Sequence, residues 1–278
     1  GGGGRHARAD AGAGLSARGA RLSGFSAPRN SRGICAGAHR EPLQEPPDHA
    51  GGAELLKPLH EALEQNGHSV ERINIFNALD NEVLGQQVEF ARNFDVIVGW
   101  SLGGQLATIL VNQIQQQYAE QKVLITLASN PCFVAQADWT TAMPIETFFA
   151  FKQSFEQDAI TTLKRFGLLV CQGTSSAKKD FVAMQRLIQP QPIALLKQGL
   201  QLLEQLNLVS MYQNYQGHQL HVFAEHDALV PYQVMRKIKD LAAKNLSVIS
   251  VEGASHGFPC FMVEQTVQII EGFIQPIV

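Results

Sequence analysis

A continuous apolar run at residues 95–99 (DVIVG) is followed at once by a glycine-rich turn and then by a long helical pattern. The run is typical of a strand that is buried on both faces of a parallel sheet. The turn, residues 99–104 (GWSLGG), leaves no room for a loop between strand and helix. A direct passage from a buried strand into a helix indicates a fold in which helices cover a sheet.

Strand and helix patterns alternate over most of the chain after residue 53. The pattern predicts strands at 70–76, 95–99, 123–128, 219–224 and 247–251, and helices at 54–66, 81–93, 104–120, 232–244 and 263–274. This order predicts an α/β fold with a mostly parallel sheet and covering helices. Residues 131–212 interrupt it with amphipathic, phenylalanine-rich helix patterns, which we interpret as a helical lid insertion.

The first 40 residues differ in composition from the rest of the 278-residue chain. They contain ten glycines and a net charge of +6, whereas residues 41–278 have a net charge of −9. No apolar periodicity is present in them, and residues 41–53 are typical of a linker. We predict a disordered Arg/Gly-rich head and linker over 1–53. The α/β domain then spans 54–278, with its N-terminal strands missing or replaced, and organelle transit is the alternative use of the head.

Composition excludes several classes of protein. An apolar fraction of 45% with a net charge of −3 is wrong for a disordered chain. No apolar run approaches the roughly 20 residues of a membrane span. The four cysteines are far apart with no CxxC pair, which is the wrong spacing for a zinc site. We expect a cytoplasmic monomer with no metal, no organic cofactor, no nucleic-acid partner and no membrane partner.

Ser101 lies in a G-x-S-x-G motif between the buried strand and its helix. This context is typical of a nucleophile elbow, which holds a serine on a strained turn above the sheet. The flanking glycines remove side chains that would clash, and the helix N-terminus favours developing negative charge. We expect the Leu102 amide to donate to an oxyanion. A phosphate-binding turn, or simply a tight one, is the alternative.

A serine nucleophile needs a base and an orienting acid. In folds with this elbow they follow the serine in the order acid, then histidine. Asp227 comes just past the strand at 219–224, although an Asx-turn would also use it, and Glu225 and His226 are its local rivals. His256 is the candidate base, because of nine histidines it alone follows this acid on a glycine-containing loop after a strand. Capping of that loop is its alternative role.

These segments together resemble the α/β-hydrolases, and most closely the methyl ester esterases of biotin synthesis that act on pimeloyl-acyl-carrier-protein methyl ester. The resemblance runs from about Glu54 to the C-terminus. The residues that carry it are GWSLGG at 99–104, ASNPCF at 128–133, Arg165-Phe166, DALVP at 227–231 and Ser255-His256. The family also has a His-Gly-Trp loop that supplies a second oxyanion amide, where this chain has PDHAGG at 47–52.

The resemblance implies a serine carboxylesterase that needs no cofactor. The implied roles are a triad of Ser101, Asp227 and His256, an oxyanion donor at Leu102, substrate contacts at Trp100 and Phe166, and carrier-protein contacts at Arg165 and Lys178. Another α/β-hydrolase activity (lactonase, aminopeptidase or acyltransferase) is one alternative. A truncated, catalytically impaired homologue is another.

Charge is distributed unevenly along the predicted domain. Residues 143–212 have a net charge of +2, whereas 54–142 and 213–278 have −6 and −2. A solvated helical surface would explain so small an excess. The resemblance instead implies that this face receives an acidic acyl carrier protein, with complementary charge guiding the encounter.

Overall fold

The computed structural model describes residues 21–22, 34–36 and 54–278. Its strands are β1 (Arg21–Leu22), β2 (Ile34–Ala36), β3 (Ser69–Ile73), β4 (Val96–Trp100), β5 (Val123–Leu127), β6 (Gln219–Ala224) and β7 (Leu246–Val251). Its helices are α1 (Lys57–Gln65), α2 (Asn81–Ala91), α3 (Leu102–Tyr118), α4 (Ile145–Gln157), α5 (Ala159–Cys171), α6 (Ala177–Leu187), α7 (Ile193–Gln205), α8 (Val209–Asn214), α9 (Val234–Lys239), α10 (Phe258–Phe261) and α11 (Val263–Ile274).

The described strands form one open parallel sheet. In it β4, β5, β6 and β7 are successive neighbours, and β7 lies at the edge. Strand β4 pairs with β5 from Val96 opposite Val123 to Trp100 opposite Leu127. All five residues of β5 are buried, as a central strand covered on both faces requires. The predicted α/β class, with a mostly parallel sheet and flanking helices, is confirmed.

Strands β1 and β2 fall within the head that the sequence predicts to be disordered, and they correct that prediction at residues 21–22 and 34–36. Each pairs with β3 on one side and β4 on the other, so the two lie end to end in a single place of the sheet. Segments of two and three residues are too short to show a period, and backbone pairing with two neighbours specifies them instead. The remaining residues of the predicted head, including 47–52, lie outside the described residues.

The helical segment, residues 145–214, lies between β5 and β6 and consists of α4 to α8. It begins later than the predicted insertion at 131, because residues 131–144 form turns with isolated bridges such as Val134 to Met143. Helix α9 is also shorter than the predicted helix at 232–244. Past its end the backbone has positive φ at Ala242 and Asn245, which a helix cannot continue through.

In the part of the chain that the structure describes, no helix is both long and apolar enough to cross a bilayer.

Candidate active site

Ser101 sits on a sharp turn between β4 and α3, at the carboxyl edge of the sheet. Its backbone has φ 55° and ψ −121°, an unfavourable conformation for a residue with a side chain. The Ser101 N–H donates to the Leu127 carbonyl at 2.9 Å, which ties the turn to β5. Leu102 is the first residue of α3, so its amide has no acceptor within the helix.

Two glycines make this turn sterically possible. A Cβ on Gly99 would lie 2.0 Å from the Gly103 carbonyl oxygen, closer than any real contact. A Cβ on Gly104 would lie 2.5 Å from the Ser129 Cβ, because the segment after β5 packs directly against the start of α3. The two glycines are therefore required by close approach of backbone and side chain at the elbow.

The structure brings Ser101, His256 and Asp227 into a hydrogen-bonded chain. His256 Nε2 lies 3.0 Å from Ser101 Oγ, and His256 Nδ1 lies 2.8 Å from Asp227 Oδ2. A carboxylate can only accept, so Nδ1 carries the proton and Nε2 is left to accept from the serine hydroxyl. The His256 and Asp227 side chains are each 1% exposed, which keeps water from competing for these contacts.

Loops at the same edge of the sheet fix the imidazole and the carboxylate. Asp227 Oδ1 accepts from the Leu229 and Val230 N–H groups, both at 2.8 Å, so each carboxylate oxygen has a separate task. The Trp100 indole N–H donates to the His256 carbonyl at 3.0 Å, and its ring is tilted against the imidazole. Glu225 and His226, the local rivals of Asp227, are exposed, and His226 Nε2 lies 3.4 Å from Glu225 Oε2.

A cavity of about 620 Å³ opens above Ser101 and His256. Trp100 and Phe166 both line it, and Phe166 packs against Phe151 with ring centroids 5.6 Å apart. Most of the remaining lining comes from aliphatic and aromatic side chains of the helical segment. Over the described residues, this lining includes no Asp, Glu, Lys or Arg. The cavity is therefore suited to an uncharged, apolar chain.

The predicted carrier contacts do not line the cavity. Arg165 is exposed on α5 and Lys178 is exposed on α6, both on the helical segment. Within that segment Lys152 and Lys197 form ion pairs with Glu204 and Glu156. The helical segment thus carries exposed basic side chains that are not part of the cavity lining.

Sequence reasoning missed two polar features of the site. The Ser129 hydroxyl donates to the Ser101 carbonyl at 2.7 Å. Asn74, which follows β3, donates through its side chain to Gln191 Oε1 at 2.8 Å, and both residues line the cavity. Position at the carboxyl edge of the sheet could have indicated Ser129, since it lies two residues past β5; no local pattern pairs Asn74 with Gln191.

The described residues hold no group of three or more His, Cys, Asp or Glu side chains arranged to bind a metal ion.

An open parallel sheet with a serine on a strained strand–helix turn defines the α/β-hydrolase class. Among solved structures, a bromoperoxidase from Bacillus anthracis matches with a TM-score of 0.68 and 14% identity over 88% of this chain and 92% of that one. An esterase from Exiguobacterium antarcticum matches with a TM-score of 0.66 at 14% identity over the same shares. At such identities these likenesses establish the fold.

Sequence relatives identify the family. The pimeloyl-[acyl-carrier protein] methyl ester esterase of Klebsiella pneumoniae is 32% identical over 188 residues, 66% of this chain and 71% of that protein. The esterase of the same name from Vibrio vulnificus is 32% identical over 62% of this chain and 66% of its own length. The chain belongs to the pimeloyl-[acyl-carrier protein] methyl ester esterases, a family of carboxylic ester hydrolases.

A third relative is the biotin biosynthesis bifunctional protein BioHC of Saccharophagus degradans. It is 37% identical over 141 residues, which are 49% of this chain and 25% of that protein. The chain therefore spans about a quarter of this bifunctional relative. A scan against protein-family models gives no match.

Proposed function

We propose that the chain is a serine carboxylesterase that uses Ser101 as nucleophile, His256 as general base and acid, and Asp227 as the acid that orients the imidazole. The observation that supports this most directly is the continuous chain of contacts from Ser101 Oγ through His256 to Asp227, at 3.0 and 2.8 Å. Hydrogen-bond reach between nucleophile, base and orienting group is what such catalysis needs.

The reaction follows from these contacts. Ser101 Oγ attacks the ester carbonyl carbon while His256 Nε2 takes the hydroxyl proton, and the carbonyl oxygen becomes an oxyanion. The Leu102 N–H, free of an intrahelical acceptor, donates to that oxyanion. The ester C–O bond then breaks, and His256 gives its proton to the leaving alcohol. Water attacks the acyl-enzyme by the same route, releasing a carboxylic acid and restoring Ser101.

The cavity supports an acyl ester as substrate class. Its apolar lining favours burial of an alkyl chain, at about 0.8 kcal/mol per CH₂ group removed from water. A carboxylate product would lose hydration there without gaining a cationic partner, since the described lining holds no Lys or Arg. The uncharged ester is therefore bound better than the acid that hydrolysis produces.

The substrate we propose is pimeloyl-acyl-carrier-protein methyl ester, as in the relatives' names. Support beyond the names comes from the helical segment, which supplies much of the cavity lining and also carries the exposed side chains of Arg165 and Lys178. A basic face would orient an acidic carrier so that its acyl chain enters the cavity, and it would act mainly on the rate of encounter.

Hydrolysis of two esters tests the proposal. The purified chain is given p-nitrophenyl butyrate, as a small ester, and the methyl ester of a dicarboxylic acyl group on acyl carrier protein. We expect turnover of both, with a higher kcat/KM for the carrier-bound ester. If only the small ester is hydrolysed, the chain is an esterase that acts on a different substrate. If neither ester is hydrolysed, the proposal is contradicted.

A fluorophosphonate probe separates catalysis from a binding role. It labels a serine that its triad has activated, so we expect stoichiometric labelling of Ser101 and none in Ser101→Ala. A folded chain that does not label would favour the catalytically impaired homologue instead.

A further inference from the structure

The Ser101 carbonyl and the Leu102 amide belong to one peptide unit at the elbow. In a trans peptide, C=O and N–H point in opposite directions, so whatever fixes one fixes the other. The carbonyl accepts two hydrogen bonds, from the Gly104 N–H at 2.9 Å and from the Ser129 hydroxyl at 2.7 Å. Both acceptor sites of the oxygen are thus occupied.

Ser129 is itself held rigidly. It is 1% exposed, and the preceding residue, Ala128, has φ 49° and donates its N–H to the Val222 carbonyl at 2.8 Å. Its Cβ and Oγ come so close to Gly104 that an added Cβ there would lie 2.5 and 2.6 Å from them. The hydroxyl therefore reaches the Ser101 carbonyl from a fixed position just past the end of β5.

We propose that Ser129 is a positioning residue that aims the Leu102 N–H at the oxyanion, by holding the Ser101–Leu102 peptide through its carbonyl. The inference rests on the proposed function, because it needs an ester carbonyl that becomes an oxyanion at Ser101. Ser129 is not among the residues that line the cavity, and its hydroxyl donates to the Ser101 carbonyl instead. It acts through the peptide plane, and its donation also polarises the amide on the other end of that peptide.

This role predicts a selective effect of Ser129→Ala. Loss of one net hydrogen bond at the transition state should lower kcat for p-nitrophenyl butyrate about tenfold. The KM should change less than twofold, because the acyl cavity is untouched. Ser129→Cys keeps a side chain packed against Gly104 but has only a weak S–H donor. Its kcat should therefore also fall below that of the parent chain.

A trifluoromethyl ketone with an alkyl chain gives the discriminating readout. It adds to Ser101 Oγ as a hemiketal whose oxyanion takes the place of the reaction's own, so its affinity reports on the oxyanion donors. We expect its inhibition constant to rise in Ser129→Ala by about the same factor as kcat falls. Thr266→Ala is the matched control, since Thr266 is also buried and its hydroxyl donates to the Met262 carbonyl at 2.8 Å on α11.

The outcomes separate the inference from the function on which it rests. A parent chain that hydrolyses no ester and binds no ketone would overturn both. An active parent with a Ser129→Ala variant that matches Thr266→Ala in kcat and in ketone affinity would overturn the inference alone. A rise in KM with unchanged kcat would do the same, and if Ser129→Ala does not fold, Ser129→Cys decides by the same measurements.

Discussion

The sheet edge and the helical segment contribute to the cavity in opposite ways. At the sheet edge, polar side chains are buried and bonded to one another, and the partners are far apart in sequence, as Ser101 and His256 are. On the helical segment, some apolar side chains at the cavity stay exposed, such as Ile160 (82% accessible) and Ile193 (48%), whereas others such as Phe148 are buried. The proposed chemistry thus depends on contacts between residues far apart in sequence, whereas most of the cavity wall comes from one stretch, residues 145–214, that solvent partly reaches.

The largest effect should come from the sheet edge. Ser101→Ala and His256→Ala should each lower kcat by about 10⁴-fold or more, since triad members act as a unit. Ser210→Ala, an exposed serine on α8, is the control and should leave the rate unchanged. Rates are measured on p-nitrophenyl butyrate, with circular dichroism to verify the fold. Near-parental activity in either triad variant would rule out the assignment.

A second prediction concerns His221, buried beneath the same edge. Its Nδ1 contacts Thr126 Oγ1 at 2.7 Å and its Nε2 contacts Gln219 Oε1 at 2.9 Å, a pattern that suits the neutral ring. Burial lowers the pKa of His221 to about 3.

Because the unfolded His221 has a pKa near 6.5, the unfolded state binds the extra proton first as the pH falls. Stability from this residue is complete above about pH 6.5 and is lost progressively toward pH 3. Urea unfolding should show about 2 kcal/mol less stability at pH 5 than at pH 7 from this residue. His221→Gln should reduce that difference, and an unchanged difference would exclude His221 as its source.

On the helical segment, side-chain loss should change binding rather than chemistry. Phe166→Ala removes a ring from the cavity wall, so KM for a p-nitrophenyl octanoate should rise about tenfold, with little change for the acetate. Leu168→Ala is the control, because Leu168 lies on the same helix but is 49% exposed and does not line the cavity. Equal effects on both chain lengths would contradict this division of labour.

The smallest effect should come from surface charge. Arg165→Glu with Lys178→Glu should lower kcat/KM for a carrier-bound ester several-fold at low salt, and the effect should fade as salt screens it. Lys237→Glu with Lys239→Glu, exposed on α9, is the matched control. Hydrolysis of p-nitrophenyl butyrate should be unaffected. Equal kcat/KM values of the two double variants for the carrier-bound ester would contradict a docking role for Arg165 and Lys178.

A structural feature of this molecule could be predicted from the sequence when a local pattern specifies it, and not when contacts between residues far apart in sequence do. The helix at 263–274 and the strand at 219–224 were predicted to the residue, because their periodic patterns are local. Ser101, Asp227 and His256 could be chosen because the carboxyl ends of parallel strands meet at one edge. Strands β1 and β2 could not be predicted, because a segment of two or three residues carries no pattern that specifies a strand. Their pairing with β3 and β4 specifies them instead. Ser129 escaped notice for the same reason, as its acceptor is 28 residues away.

The end-to-end placement of β1 and β2 has a consequence for handling the protein. These five residues are the described backbone that joins β3 to β4, since both segments pair with both strands. A chain shortened to begin at Glu54 would leave two facing strands with bare N–H and C=O groups in the middle of the sheet. Such edges recruit strands from other molecules. Truncation at this point is therefore expected to cause self-association, even though Ser101, Asp227 and His256 all lie downstream.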